Sequence, residues 1–296
     1  MRLRAPVLDD APAVFEVITA RDIADLGVPD FTLGDLHDEW RSSQLDLQAD
    51  ARVVEADGGL IVGYAIVRAR GALAVVSPAH EGRGIGTLLL HWAEERERER
   101  GARRHRQSVP PGSHRALELL VGAGYRRVRS YWRMVRSLHD VPASVVPYGV
   151  RLRSLDLARD SRQLHELDAA SFAGVAEYEP EPLEAFVDEH LCGHDLAPEL
   201  SVVAEQDQAI VGFLLSRRWE SERAGYVDLL AVHPSVRRRG LGSAMLVAAF
   251  TRFAHTGLAE AQLGVASDNP RALKLYERLG MTPRFQVDSY ERESRG

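Results

Sequence analysis

Residues 229–242 read LLAVHPSVRRRGLG, and this stretch decides the fold. It predicts a buried strand ending at Val232, a loop with three arginines and two glycines, and an apolar helix beginning at Leu241. Glycines let the backbone approach a ligand closely, and the unpaired N–H groups of a helix's first turn favour an anion. The pattern therefore predicts a diphosphate site, and a tight turn with a solvated basic loop is the alternative. It has neither the Rossmann spacing nor the ending of a P-loop.

The chain contains this pattern twice. Gly84-Ile85-Gly86 falls on Gly240-Leu241-Gly242 at an offset of 156 residues, and that register continues without insertion to the ends of both copies. Earlier in each copy Gly63 aligns with Gly212, at an offset of 149, so the second copy has gained residues around Trp219. The repeat predicts an N-terminal domain over residues 1–139, a linker rich in proline over 140–149 and a C-terminal domain over 150–296.

Composition narrows the class of protein. A chain of 296 residues with 45% hydrophobic content can form two complete cores. A net charge of -6 gives no overall basic field for nucleic acid or acidic lipid, and the mixed-sign run 94–106 fits a solvated helix. Cys192 is the single cysteine, which excludes an internal disulfide framework. Neither a signal peptide nor a membrane span is predicted, so we expect a cytoplasmic protein.

Two motifs in the second copy resemble the GNAT superfamily of N-acetyltransferases. The acetyl-CoA signature of that family, Arg/Gln-x-x-Gly-x-Gly/Ala after a strand, is matched by Arg237, Gly240 and Gly242. A second hallmark, an Asn followed by Ala and Leu-Tyr-Glu-x-x-Gly-Phe, is similar to residues 269–281, NPRALKLYERLGM, where Met281 replaces the final Phe.

The resemblance implies the fold. It is an α/β class (α+β mixed sheet) with two tandem GNAT-like domains, each a central, mostly antiparallel mixed sheet flanked by helices. Two such domains in one chain are also similar to mycothiol synthase and its tandem relatives. That likeness concerns architecture and does not identify a substrate.

The resemblance also implies acetyl-CoA as co-substrate and a primary amine as acceptor, with no metal. In such folds the backbone beside the glycine loop holds the pantetheine arm like an added strand. The cofactor-binding residues expected on this basis are Leu230, Ala231, Val232, Arg237, Arg238, Arg239, Gly240, Leu241, Gly242, Ser243 and Asn269. Asn269 is alternatively the N-cap of a helix that opens at Pro270.

Two residues are candidates for catalysis. Tyr276 falls on the family's tyrosine position, so the resemblance makes it the donor of a proton to the CoA sulfur, with packing of a helix face as the alternative. The strand position that is often Glu in these enzymes is Tyr226 here. Asp228 lies two residues further on the same strand face, so it is the predicted general base, directly or through water. Its alternative is a solvated or substrate-orienting carboxylate.

The first copy departs from the pattern at four positions together. The equivalents of Arg237, Asp228, Asn269 and Tyr276 are Glu81, Ala72, Ser113 and Leu120. Glu81 is expected to place a carboxylate beside the diphosphate loop. We therefore predict a degenerate first domain that is structural, frames the substrate or binds CoA weakly.

Other clusters support simpler interpretations. Residues 190–194, HLCGH, contain metal-ligating types, but their spacing is not that of a standard zinc site, so no metal is predicted. The acidic stretch 177–182 attracts a cationic amine or is a solvated loop. The expected partner is a small-molecule amine acceptor, with no nucleic acid and no membrane, and the protein is expected to be a monomer or homodimer. A non-catalytic acyl-CoA sensor and a protein N-acetyltransferase are the alternatives.

Overall fold

A computed structural model describes residues 1–69, 71–143, 145–174, 178 and 180–294 of the chain. The residues form two compact units. Unit 1 comprises Met1–Tyr131 with Phe285–Gly296, and unit 2 comprises Trp132–Arg284. Within the described residues, no helix combines the length and apolar character that crossing a bilayer requires.

The first repeat contains six strands and five helices among its described residues. They are β1 (Arg2–Arg4), α1 (Ala11–Leu26), α2 (Leu33–Arg41), α3 (Leu47–Asp50), β2 (Ala51–Glu55), β3 (Ile61–Arg68), β4 (Gly71–Val76), α4 (Ile85–Glu99), β5 (Arg104–Val109), α5 (His114–Gly122) and β6 (Arg126–Ser137).

The second repeat follows the same order among its described residues. Its elements are β7 (Arg151–Ser154), α6 (Leu157–Phe172), α7 (Leu183–Phe186), a π-helical turn (Val187–Leu191), β8 (Val202–Gln206), β9 (Ala209–Trp219), β10 (Ala224–Val232), α8 (Leu241–His255), β11 (Glu260–Ala266), α9 (Pro270–Arg278) and β12 (Thr282–Glu293).

Both units have a mixed sheet, as the sequence predicted. The strand order is β1-β2-β3-β4-β5-β12 in unit 1 and β6-β11-β10-β9-β8-β7 in unit 2. Neighbouring strands from β1 to β4 and from β7 to β10 are antiparallel, whereas β4 with β5 and β10 with β11 are parallel. A parallel pair requires a crossover, and here α4 and α8 provide it. The glycine loop therefore lies at the start of the crossover helix in each unit.

The compact units do not end where the repeat predicts. β6 and β12 are twelve residues long, and the division between units falls inside both of them. In unit 1, β12 pairs with β5 from Asp288↔Val109 to Glu293↔Arg104. The last residues of the second repeat therefore belong to the first unit. The predicted domains at 1–139 and 150–296 are the two repeats. That each repeat folds as a unit stays a prediction.

The core of unit 2 surrounds α8. This helix is apolar on most of its circumference, and the side chains of Leu241, Met245, Phe250 and Phe253 are all buried. Burying one large apolar side chain contributes about 1.5–3 kcal/mol, so this helix is a main source of the unit's stability. In a second apolar cluster, side chains of α6, Phe186 and Leu191 pack against side chains of β8, β9 and β10.

The mixed-sign run 94–106 is not a solvated helix throughout. Glu94 and Glu97 on α4 are buried, with 5% and 3% exposure. Glu97 Oε2 lies 2.9 Å from Nδ1 of His105, and Glu94 accepts a hydrogen bond of 2.9 Å from the hydroxyl of Tyr125. Arg292 of β12 adds an ion pair with Glu94 at 2.7 Å. The expectation was wrong for these two residues because α4 packs them against His105 on β5 and, for Glu94, against Tyr125 and Arg292 farther along the chain.

Candidate active site

The glycine loop of unit 2 presents the start of α8. Gly240 is the N-cap residue in the left-handed region, with φ of 84°, and the helix begins at Leu241. Arg238 also has a positive φ, 65°. The first-turn N–H groups of α8, including those of Gly242 and Ser243, have no intrahelical acceptor by the geometry of any helix start. This end of the helix is suited to an anion.

The three arginines of the loop have different surroundings. Arg237 binds the backbone, since its Nε donates to the carbonyl oxygen of Val232 at 3.0 Å and its Nη2 donates to that of Ser171. It thereby ties the loop to β10 and to α6. Arg238 and Arg239 are exposed, and they add positive charge beside the start of α8.

Strand β10 leaves its parallel neighbour next to this loop. The pairs with β11 run from Ala224↔Glu260 to Val227↔Leu263, and β10 then continues to Val232. A β-bulge interrupts its pairing with β9 between Val227 and Leu229, so Asp228 is the extra residue. Bulges redirect a strand and its side chains. The predicted pantetheine-holding backbone of Leu230, Ala231 and Val232 thus lies on the segment that follows the bulge.

Tyr276 lies on α9 in the same apolar cluster as Val227 and Leu241, with Leu230 and Val232 packed against that cluster. The glycine loop is close by, since a Cβ at Gly242 would lie 3.6 Å from Leu275 and 4.0 Å from Val232. Burial raises the pKa of Tyr276 to about 12, and the neighbouring Tyr226 adds to the shift. The phenol therefore stays protonated at neutral pH. Among the described residues its hydroxyl has no hydrogen-bond partner and is available to a ligand.

Asn269 caps α9. Its side-chain oxygen accepts a hydrogen bond of 3.1 Å from the backbone N–H of Ala272, and Pro270 follows at the first helical position. The N-cap interpretation of Asn269 is confirmed. A contact of Asn269 with the cofactor stays a prediction.

Asp228 is part of a charged network. Its Oδ2 accepts a hydrogen bond of 3.0 Å from Nη2 of Arg217 and lies 3.7 Å from Nδ1 of His190. Nη1 of Arg217 also donates to Asp195 at 2.8 Å. Burial alone would raise the pKa of Asp228, but His190 and Arg217 outweigh it and hold the pKa below its usual range. The carboxylate is therefore charged and weakly basic at neutral pH.

An aromatic pair lies beside this network. The rings of Trp219 and Tyr226 stack with centroids 4.3 Å apart and an interplanar angle of 11°. Trp219 Nε1 donates to Asp195 at 3.0 Å, and Arg133 lies 4.8 Å from the Tyr226 ring centroid. Tyr226 and Asp228 thus contact Trp219 and Arg217, which are two residues apart on β9 and both bind Asp195. The two side chains share one face, as the strand period implies.

Sequence reasoning missed His190, Arg217 and Trp219 as members of this site. The gained residues around Trp219 were the available signal, because they lengthen the hairpin of β9 and β10. The π-helical turn places His190 at this site, and the spacing of residues in the sequence does not predict that turn. Cys192 is exposed as a free thiol. Of the acidic stretch, Glu177 and Glu179 lie outside the described residues, whereas Glu181 lies 3.5 Å from Nε2 of His190.

One group in unit 2 has donors suited to a metal ion. Ligand atoms of Glu181, Glu189 and His190 lie within 4.8 Å of one another. His190 thus meets Glu181 and its own neighbour Glu189, and His194 is not a member of this group.

Unit 1 keeps the cleft and lacks the side chains. Its strands β4 and β5 share the pair Ala72↔Gln107, and β4 continues to Val76. A cavity of about 530 Å³ follows, lined by both strands, the glycine loop and α5. Leu120 stands at the tyrosine position and is buried.

Glu81 does not act as an unpaired carboxylate. It lies 2.5 Å from Nη1 of Arg21 on α1 and 3.6 Å from Nε of Arg115. The expected carboxylate thus lies beside the loop, and it is paired with two arginines. Glu81 instead ties the loop to the first helix, as Arg237 does in unit 2.

Known proteins resemble this chain in sequence and in fold. The model of the acetyltransferase (GNAT) family matches residues 20–125 and 161–281. The chain is 33% identical to the mycothiol acetyltransferase of Thermobispora bispora over 242 residues, covering 78% of this chain and 80% of that protein. It is 29% identical to the mycothiol acetyltransferase of Streptomyces coelicolor over 264 residues, covering 82% of each. A solved GCN5-related N-acetyltransferase from Sphaerobacter thermophilus has a TM-score of 0.81 and 29% identity, covering 100% of this chain and 96% of that one.

Proposed function

The chain belongs to the acetyltransferase (GNAT) family and is an N-acetyltransferase, and on that premise we propose that unit 2 acetylates a small-molecule primary amine with acetyl-CoA. The amine attacks the thioester directly, with both substrates bound. The observation that carries the proposal is the departure of β10 from β11 at Asp228, beside the glycine loop and the buried Tyr276. These features supply a backbone edge, an anion site and a proton donor in one region.

Each part of the site has a role in this proposal. The first-turn N–H groups of α8 bind the diphosphate, and Arg238 and Arg239 add positive charge. The backbone of Leu230, Ala231 and Val232 holds the pantetheine arm, and Gly240, Leu241, Gly242 and Ser243 form the cradle. When bound, acetyl-CoA supplies an activated acyl group. Tyr276 delivers a proton to the departing thiolate, which its raised pKa permits because the phenol is still protonated at neutral pH.

The acceptor is a small amine that approaches the network around Asp228. Two relatives are mycothiol acetyltransferases, which supports including mycothiol-related amines in any search for it. The carboxylates of Asp228 and Glu181 supply negative charge for a cationic amine. We further propose a cytoplasmic reaction by a monomer or homodimer that uses no metal, no nucleic acid and no membrane.

A screen of amines with acetyl-CoA, following release of the free CoA thiol, tests the proposal. We expect turnover with at least one amine class and a ternary-complex kinetic pattern. Tight CoA binding without turnover for any amine would contradict it and would favour a non-catalytic acyl-CoA-binding protein, the alternative that the missing Glu at position 226 supports. Turnover with peptides alone would indicate a protein N-acetyltransferase.

A further inference from the structure

His190 occupies a fixed position next to Asp228. It belongs to the π-helical turn Val187–Leu191, and the buried side chains of Phe186 and Leu191 anchor the two ends of that turn. The imidazole centroid lies 5.0 Å from that of the Phe186 ring, and 17% of the side chain is exposed. Isolated π-helical turns are frequent at functional sites. The ring is therefore packed against Phe186, and a small part of the side chain stays exposed to solvent.

Both ring nitrogens of His190 face a carboxylate from another element. Nδ1 lies 3.7 Å from Oδ2 of Asp228 on β10, and Nε2 lies 3.5 Å from Oε1 of Glu181. Glu181 is itself held, because its backbone oxygen lies 2.7 Å from Nε2 of His165 on α6. The two acids and the imidazole are thus positioned by three separate elements.

The charges around His190 make its imidazole a stronger base and the carboxylate of Asp228 a weaker one. Arg217 on β9 binds the same Oδ2 of Asp228 and keeps this carboxylate a weak base. Burial alone would lower the pKa of His190, but Asp228, Glu189 and Glu181 together raise it above its usual value. A catalytic base works best when its pKa is near the operating pH. His190 meets this requirement better than Asp228 does.

We propose that His190 is the general base of unit 2, that Asp228 is a positioning residue for its imidazole, and that Glu181 receives the ammonium group of the acceptor. The inference rests on the proposed function, and it replaces the earlier assignment of Asp228 as the base. Neutral His190 keeps its proton on Nδ1, toward Asp228, and accepts with Nε2, beside Glu181. The arrangement follows the general logic of an acid that orients a histidine base.

The proton and electron balance is complete. One proton of the ammonium group passes to Nε2, and the freed lone pair of nitrogen attacks the acetyl carbonyl carbon. The C–S bond breaks, and the thiolate takes the proton of the Tyr276 hydroxyl. The new amide nitrogen loses its second proton, which restores the Tyr276 phenol, and the imidazolium of His190 releases its proton to solvent. The products are the amide, CoA thiol and one proton.

The decisive experiment compares pH profiles of kcat/KM for the full chain and three variants. His190→Gln should lower kcat/KM by about 100-fold or more, with CoA affinity unchanged. Asp228→Asn removes a charge that raises the pKa of His190, so the rise of kcat/KM with pH should move to lower pH while turnover at high pH largely remains. Titration of the amine itself would be the same in both proteins, so it cannot cause this shift. His255→Gln, at an exposed histidine that ends α8, is the control and should leave rate and profile unchanged.

The outcomes separate the inference from the function on which it rests. Normal turnover and an unshifted profile in His190→Gln would overturn the role of His190 and leave the acetyltransferase proposal intact. Loss of turnover in Asp228→Asn at every pH would return the base to Asp228 and also overturn it. Activity lost to a chelator and restored by zinc would assign Glu181, Glu189 and His190 to a metal instead. If His190→Gln fails to fold, the direction of the Asp228→Asn shift decides, and no turnover in the unaltered protein would refute both proposals together.

Discussion

Units 1 and 2 share a strand order and a crossover helix with a glycine start, and one difference between them is an interruption of one strand. In unit 2, β10 has a bulge at Asp228, whereas the equivalent β4 pairs with β3 in continuous register from Gly63↔Val76 to Arg68↔Gly71. Unit 1 nevertheless keeps a cavity where β4 and β5 part. Backbone geometry therefore maintains the cleft in both units, while the acid–base chemistry depends on a few side chains that only unit 2 has.

The first position of the glycine loop also shows a conserved backbone arrangement with different side chains. In unit 2, Arg237 ties the loop to the carbonyl oxygen of Ser171 on α6, and in unit 1, Glu81 ties it to Arg21 on α1. A basic and an acidic residue thus serve one structural purpose through different partners. The motif residue can change sign without loosening the loop.

The largest effect expected from this comparison concerns Gly240 and Gly84. Both have left-handed backbones, with φ of 84° and 79°, and a Cβ at either would meet nothing within 4 Å. Valine at either position therefore creates strain of about 1–3 kcal/mol without a clash. Because strain turns the loop's N–H groups away, Gly240→Val should abolish CoA-dependent turnover, whereas Gly84→Val should change it by less than about threefold. Calorimetric titration with CoA and steady-state rates would measure this.

The pair controls for stability, since both variants should lose similar free energy of unfolding. If Gly84→Val abolished turnover and Gly240→Val did not, the active site would belong to unit 1. Equal losses of turnover would mean that the two clefts act together and would remove the distinction between them.

A second, smaller effect separates two buried phenols. The Tyr276 hydroxyl has no hydrogen-bond partner among the described residues, whereas the Tyr125 hydroxyl in unit 1 donates to Glu94 at 2.9 Å. Tyr276→Phe should reduce kcat by about 100-fold with little change in stability or CoA affinity. Tyr125→Phe should leave kcat unchanged and cost about 1–3 kcal/mol of stability, because it leaves a buried acceptor unsatisfied. Equal loss of rate and CoA affinity in Tyr276→Phe would indicate a packing role instead.

The repeat made much of this fold predictable. Local patterns predicted the strand that ends at Val232 and, through the repeat, the crossover helices that begin at Ile85 and Leu241. They also placed Asn269 as a possible cap and Tyr276 beside the loop. These features depend on residues close in sequence or on a motif whose spacing is fixed.

The rest depended on contacts between distant residues. The bulge at Asp228 is a one-residue mismatch between two strands, which neither strand's own sequence reveals. His190 and Asp228 are 38 residues apart in sequence, and they meet because the π-helical turn places the imidazole beside β10. The ends of the compact units depend on where β12 finds a pairing partner, and β5 lies far from it along the chain. Sequence patterns alone contain none of these three facts.

The interior of α4 extends the contrast between units to their cores. At the repeat offset of 156, Glu94 and Glu97 fall on Phe250 and Phe253, and His105 falls on Ala261. All six side chains are buried. Unit 1 therefore has a hydrogen-bonded polar network where unit 2 has a hydrocarbon core. A buried carboxyl is costly when ionised, and a phenyl ring is not.

The smallest predicted effect follows from this exchange and depends on pH. Burial raises the pKa of Glu97 to about 7, above its ordinary value of 4.5, so folding favours the protonated carboxyl. Its stabilising contribution is fully present below about pH 4.5 and is lost as the pH rises through about 7. Glu97→Gln mimics the protonated form, so at pH 8 it should raise the free energy of unfolding of unit 1 by about 1–3 kcal/mol, and near pH 4 the gain should vanish. Burial lowers the pKa of His105, whose Nδ1 lies 2.9 Å from Glu97, so this imidazole is neutral at pH 8 in the folded form of both proteins. Urea unfolding with hydrogen exchange of the α4 amides would measure this gain in stability. Glu95→Gln, at an exposed position of the same helix, is the control. A gain that is equal at both pH values would show that Glu97 does not titrate in this range.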